Sequence, residues 1–175
     1  LQRGGNPQPR NLMGQIDGTG NPRLGSQVFK ESVWALKGAA DWFVGGSSLV
    51  LRRIAMQLDT WETLTPQAQE QVIGRKRSNG APLTGNVERE IPDLLAKKDG
   101  KFVIAEDAHI RRATTAHNIF RRIFNYDTGT QVGLLFATYQ SDPAHYAEIQ
   151  ERLAAVDSLN TWTVPVGSGM WVIPG

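Results

Sequence analysis

The order of apolar and polar residues along the chain marks out strands and helices before any chemistry is considered. Ser47–Leu58, SSLVLRRIAMQL, predicts a strand. On a period of two, Val50, Ile54, Met56 and Leu58 share one face with Arg52, while Leu51, Arg53, Ala55 and Gln57 share the other. Gln131–Tyr139, QVGLLFATY, predicts another strand, and Gly169–Ile173, GMWVI, a short closing one. Thr65–Ile73 predicts a helix, with Thr65 as N-cap, Pro66 at the first helical position and Gly74 just past the end. Asp142 or Ser141 caps another helix that starts at Pro143, and Tyr146, Ile149 and Leu153 form its buried stripe. Gly74 to Leu95 is polar and punctuated by Gly and Pro, which predicts a long surface excursion. The opening LQRGGNPQPRN predicts loop. Hairpin-like spacing of these elements argues for an α+β fold with an antiparallel sheet.

Composition narrows the picture modestly. A chain of 175 residues fits one domain, 1–175, and can bury a real core. A net charge of +2 and 21% charged residues give no strong electrostatic signature, and RKR at Arg75–Arg77 is too short for a nucleic-acid arm. No nucleic-acid partner is expected, and no apolar run reaches membrane-spanning length. The absence of cysteine excludes disulfides, thiolate metal sites and cysteine nucleophiles. Five tryptophans serve either core packing or electron transfer.

Candidate chemistry concentrates in Asp107–Asp127, DAHIRRATTAHNIFRRIFNYD, which holds His109 and His117 with Arg111, Arg112, Arg121 and Arg122. A neutral imidazole can ligate a metal, and arginines are fixed cations that stabilise developing negative charge. The same residues also suit a basic, solvated helix face. A second feature is GQIDGTGNP, Gly14–Pro22, a turn-rich loop around Asp17. It lacks the spacing and flanking strand of a dinucleotide fingerprint, the Lys of a Walker loop and the acids of an EF-hand. Its plain reading is an Asx-type turn in which the Asp17 carboxylate accepts local backbone N–H groups. No Ser-His-Asp, HExxH or paired-His zinc pattern occurs.

Taken together, the two features carry a resemblance. GQIDGTGNP resembles the GxxDG motif of the dye-decolourising peroxidases, a haem peroxidase family. DAHIRR followed by IFRRIFNYD resembles that family's second signature. The blocks FVGGSSLVLRRIAMQLDTW, IGRKRSNGAPL, GLLFATYQSD and GSGMWVIPG follow in family order, so the likeness runs from about Asn11 to Gly175 and looks closest to the secreted actinobacterial-type branch. The resemblance implies a ferredoxin-like antiparallel sheet with flanking helices, of the dimeric α+β barrel type, and haem b as cofactor. It implies that His109 ligates the haem iron as the proximal ligand, that Asp17 is the distal acid–base residue and that Arg121 is the distal arginine, with Arg122 as its rival if the register shifts. Gly18, Thr19 and Gly20 would lie against the haem, and Asp157 is a candidate to hydrogen-bond the other nitrogen of His109. The implied activity uses hydrogen peroxide to oxidise dyes, phenolics or similar donors through a ferryl intermediate. A haem- or iron-handling protein of the same lineage is the alternative. Electrons from bulky donors could enter through Trp34, Trp42, Trp61, Tyr126, Trp162 or Trp171, each of which serves equally as core.

Two departures from the family pattern stand out. The Asn-Pro-Arg that often follows the ligand segment is replaced by Thr114-Thr115-Ala116-His117, leaving His117 or Arg111 as substitutes for its propionate-binding arginine. His145, near a helix start, reads as a surface residue. The family's first ferredoxin-like half has no counterpart in this sequence. The resemblance therefore implies a partner: an N-terminal half on a separate chain, in an oligomer that is secreted.

Overall fold

The computed structural model describes residues 9–36 and 38–175; the first eight residues of the Gly/Pro-rich opening lie outside them. In chain order the elements are α1 (Gln27–Val33), β1 (Ser47–Met56), α2 (Leu58–Trp61), α3 (Pro66–Ile73), a small hairpin of β2 (Lys97–Lys98) and β3 (Lys101–Phe102), α4 (His109–Ala113), β4 (Phe120–Asp127), β5 (Val132–Gln140), α5 (Pro143–Val156) and β6 (Thr163–Ile173). Four strands form one antiparallel sheet in the order β4-β5-β1-β6. The hairpin β4–β5 lays β5 beside β1, and α5 carries the chain back to lay β6 on the opposite edge. This is the expected α+β, ferredoxin-like arrangement.

The alternation in β1 determines where the core lies. Val50 packs with Ile119, Tyr146 and Ile149, so α5 covers that end of the sheet. Met56 joins Met13, Trp61, Ile73 and Leu134 at the other end, with Ile54 packed against them. Residues paired across strands share a face. Val50, Thr138 and Arg121 therefore form one row, and Arg52, Phe136 and Ile123 the next, all on the helix-covered face. Leu49, Leu51 and Leu135 point to the other face, beside Trp171 at 50% exposure and Phe124 at 53%.

The caps follow the sequence. Thr65 Oγ1 accepts the Ala68 N–H at 3.2 Å, and Asp142 Oδ1 accepts that of Ala144 at 2.8 Å. Gly74 ends α3 in the left-handed region at φ 86°. A Cβ there would come within 2.2 Å of Ile110 Cγ2, so this glycine also lets α3 approach α4.

Three expectations need correction. The strand from Ser47 ends at Met56, because Leu58 begins α2, whose turn drives Trp61 into the core at 1% exposure. The closing strand is eleven residues long and includes TVPVGS, which has no alternation to announce it. Backbone pairing with β1 holds it, through a register shift between Arg53 and Ile54 where Pro165, which has no N–H, lies opposite Ile54. The excursion from Gly74 is not wholly at the surface. Ala81 and Pro82 are fully buried, because local polar groups satisfy the loop's backbone: Asn79 accepts the Ala81 N–H at 3.0 Å and donates to the Asn86 carbonyl at 2.9 Å.

Gly74→Ala should destabilise the fold by roughly 2–5 kcal/mol, the left-handed penalty plus overpacking against Ile110. Urea denaturation measures it, and a loss under about 1 kcal/mol would show that α3 and α4 are not closely apposed.

Candidate active site

Two walls of chain carry the candidate residues. The first is α4, which starts at His109. His109 Nδ1 lies 2.6 Å from Asp157 Oδ2, and the Asp157 side chain is only 3% exposed. Asp157 caps the C-terminus of α5, and its other oxygen accepts the Leu159 N–H at 2.9 Å. The carboxylate is thus held by backbone before it meets the imidazole. With the Nδ1 proton directed at Asp157, the lone pair of His109 sits on Nε2, which meets no partner among the described residues.

Helical period separates the two arginines that follow. Arg112 falls about 60° from His109 around α4, and Arg111 about 160° away. Arg111 donates to the carbonyls of Ile104, Ala105 and Leu94 and lies 4.4 Å above the Phe102 ring. Its charge is used in holding the β3 region, not in facing the His109 side. Arg112 Nε is enclosed and without a partner among the described residues. The carbonyls of Arg111 and Arg112 are held by Arg152 of α5, at 3.2 and 3.0 Å. Further along, His117 stacks on His145 with centroids 4.0 Å apart and planes 7° from parallel. Burial and the neighbouring His117 hold His145 below the usual imidazole range, against the opposite pull of Asp142 and Glu148. His145 is therefore a packed contact of the Thr114–Asn118 loop, not the free surface residue expected.

The second wall is the Asp17 loop with the start of β4. Asp17 N donates to Pro9 O at 2.9 Å, and the Asn21 N–H closes a turn on Gly18 O at 2.9 Å. Gly18 and Gly20 take φ of 72° and 84°, conformations that strain any side-chain-bearing residue. Arg121 reaches this loop from β4 and donates through Nη2 to the Thr19 carbonyl. Arg122, one residue on, belongs to the opposite face, in the row of Ala137 and Leu51. Period-two geometry thus brings Arg121, rather than its rival, to the Asp17 loop.

The electrostatics of this wall are unusual. Burial pushes the Asp17 carboxyl above its ordinary range, opposed by the Gly18 N–H and by Arg121 and Arg122. Burial also lowers Arg121, with Asp17 countering it. Sequence reading missed a third charge, Arg75, brought down to about 10 by burial and by Arg121, against Glu88. Arg75 donates to the carbonyls of Gly80 and Glu88 at 2.8 and 3.1 Å. A Cβ on Gly20 would lie 3.8 Å from both the Arg75 and the Arg121 Nη2 atoms. Asn21 was missed too, although it stands inside the GTGNP motif; its carboxamide binds the backbone of Arg121. The Asx-turn reading of Asp17 is incomplete: Gly18 supplies a backbone hydrogen bond, yet Oδ1 is enclosed and, like Arg121 Nε, meets no partner among the described residues.

The aromatic candidates scatter. Trp61 is core, edge-to-face with Trp162 at 5.2 Å. Trp34, Trp42 and Trp171 are 42%, 63% and 50% exposed, and Tyr126 packs under Arg53. Among the described residues no group of three metal-ligating side chains assembles, and no helix is long and apolar enough to cross a membrane.

A ferredoxin-like sheet bearing a carboxylate-held imidazole and an enclosed acid–arginine pair fits the class that the motifs resemble, the C-terminal half of an α+β peroxidase. Residues 8–175 match the family described as Dyp-type peroxidase, C-terminal, and the chain belongs to that family. A dye-decolorizing peroxidase of Thermobifida fusca is 40% identical across 95% of this chain and 42% of its own length. A deferrochelatase of Yersinia pestis is 35% identical across 98% of this chain and 43% of its own length. Among solved structures, the DyP-type peroxidase of Cellulomonas bogoriensis superposes with a TM-score of 0.86 at 46% identity, covering 95% of this chain and 48% of that one. DtpA of Streptomyces lividans, as an oxyferrous/water mixed complex, gives 0.88 at 37% identity, covering 98% and 50%. The chain spans about half the length of the proteins it matches, or less.

The raised Asp17 carboxyl sets a pH signature. A folded-state value above the unfolded one makes Asp17 costly once it ionises, so its drag on stability grows as pH rises from the ordinary carboxylate value to the folded one, then stays constant. Asp17→Asn should therefore be more stable than wild type at neutral pH and lose that advantage in acid. Denaturation at pH 7 and pH 3 tests this, and an unchanged or reversed difference would refute the buried-carboxyl assignment.

Proposed function

We propose that this chain is the haem-binding half of a peroxidase that uses hydrogen peroxide to oxidise dyes, phenolics or similar aromatic donors. The observation that carries the reading is that Asp17 Oδ1 and Arg121 Nε, on one wall, are enclosed and without a partner among the described residues. Most buried polar atoms in native interiors are matched, and a functional role, a water or an ion commonly accounts for those that are not. The fit to haem b rests on these atoms and on His109, whose Nδ1 is committed to Asp157 while Nε2 stays available. In this proposal His109 ligates the iron, Asp157 makes that ligand more electron-donating, and Gly18, Thr19 and Gly20 lie against the ring.

When bound, haem supplies the redox chemistry by which peroxide is reduced and a donor oxidised. The chain's own residues handle protons and charge. Ionised Asp17 takes a proton from one peroxide oxygen and returns it to the other, which then departs as water. Arg121 stabilises negative charge on the departing oxygen. Relatives named deferrochelatase keep a second reading alive, haem or iron handling with little turnover. The enclosed acid–arginine pair favours the peroxidase, since an iron-handling pocket has no need of it.

The same proposal gives the chain a partner: an N-terminal half on a separate chain, within an oligomer. One observation supports it. The sheet face opposite the helices presents Trp171 on β6 and Phe124 on β4, both half-exposed, at its two edges. A second sheet laid on that face would bury them. Export from the cell belongs to the proposal on the strength of the branch resemblance alone, and activity in culture supernatant checks it.

His109→Ala should lose the Soret band of the loaded protein; an unchanged band would remove His109 as ligand. Asp17→Ala and Arg121→Leu should keep haem while turnover with peroxide falls by roughly 10²–10³-fold. Full turnover in both would show the distal assignment to be wrong, whereas a wild-type protein that takes haem but turns over little peroxide would leave the iron-handling reading. The acid limb of kcat/KM for peroxide should lie above the usual carboxylate value of about 4 and move higher in Arg121→Leu, because Arg121 lowers the Asp17 pKa. Intact mass and size-exclusion analysis test the partner: a stable, haem-loaded monomer of 19.3 kDa would overturn it.

A further inference from the structure

β4 is an edge strand of the sheet, paired with another strand on one side only among the described residues. At Arg121 the free side of that strand is not left to water. Asn21 Oδ1 accepts the Arg121 N–H at 3.0 Å, and Asn21 Nδ2 donates to the Arg121 carbonyl at 2.8 Å. One carboxamide thus replaces a neighbouring strand at a single residue. Asparagine suits the position: it carries an acceptor and a donor on one short planar group. Asp lacks the donor, Ser is too short, and Gln is one methylene too long. Pro22 follows and biases Asn21 towards extended backbone, restricting where its side chain can point. Gly18 leaves room for it, since a Cβ there would come within 3.3 Å of Asn21 Nδ2.

The same side chain ties two other points together. The Asn21 N–H closes the turn on Gly18 O at 2.9 Å, immediately after Asp17. Inside that turn the Thr19 carbonyl accepts from Arg121 Nη2. Arg121 is therefore gripped at its N–H, its C=O and its guanidinium by residues 19–21 of one loop. A slip between loop and strand would change the separation of Asp17 from the guanidinium.

We propose that Asn21 is a positioning residue that registers the Asp17 loop against β4 and so sets the spacing of Asp17 and Arg121. This rests on the peroxidase reading above. Reactions of this kind are sensitive to such spacing, and a 1 Å misplacement can cost on the order of 100-fold in rate.

The test uses the full chain, haem-loaded where turnover is read. In Asn21→Ala, the Arg121 amide should exchange with solvent at least about tenfold faster by NMR, and peroxide turnover should fall about 10- to 100-fold with the Soret band retained. In an Arg121→Leu background the same substitution should cost less than about threefold, because the spacing no longer matters. Asn21→Asp keeps the acceptor for the Arg121 N–H, so that amide should remain protected and turnover should recover in part. An Arg121 amide still protected in Asn21→Ala, or costs that multiply fully in the double variant, would overturn the proposal. If the wild-type protein takes haem but turns over no peroxide, the peroxidase reading fails, while the exchange arm still decides whether Asn21 registers the loop.

Discussion

The contact between His109 and Asp157 joins the two parts of the chain on which the site depends. Asp157 ends α5 and His109 begins α4, so one 2.6 Å hydrogen bond fixes the end of one helix against the start of another. A buried carboxylate is costly to desolvate unless hydrogen bonds satisfy it. Asp157 is satisfied by the imidazole and by the Leu159 N–H, so removing either partner would expose the cost of burying the other. Arg152 and the His117–His145 stack repeat the docking further along α5. Helix α4 has only five residues and could not hold its shape in isolation. Its conformation is a consequence of what α5 and Gly74 allow it to pack against.

The wall formed by the Asp17 loop and β4 solves a different problem, that of holding charges close together in a partly buried region. Asp17, Arg121, Arg75 and Glu88 influence one another within one region. Backbone carbonyls absorb much of the donor capacity of the arginines: Gly80 and Glu88 for Arg75, Thr19 for Arg121. Asp17 Oδ1, an acceptor, and Arg121 Nε, a donor, remain without a partner among the described residues. Such an arrangement costs stability in the fold, and that cost is a reason to look for function at this place. The two glycines in positive φ and the Asn21 carboxamide are what permit the loop to approach β4 closely enough for it.

Legibility in the sequence followed the strength of each physical signal. β1, β5, α3 and α5 were readable because alternation, helical spacing and capping residues all agreed. The long form of β6 was not, since TVPVGS is held by pairing with β1 rather than by any face of its own. The burial of Ala81 and Pro82 was hidden within a polar stretch whose side chains turn inward to cap their own backbone. Asp17, His109 and Arg121 became candidates through motif resemblance; composition alone left them as a turn acid and a basic helix face. Arg75 and Asn21 carried no signal that their neighbours in sequence did not also carry.

The chain by itself determined its element types, its face of burial and the residue types available for chemistry. Those follow from periodicities of two and 3.6 and from local caps, all of which act within a few residues. Tertiary structure alone decided which arginine of the pair at 121 and 122 meets the Asp17 loop. It also decided that Asp157, 48 residues from His109, is the partner of its Nδ1. Those outcomes depend on strand register and helix docking, in which a shift of one residue reverses the face a side chain occupies. No local pattern records such a shift, because only the packed sheet and the α4–α5 contact select it.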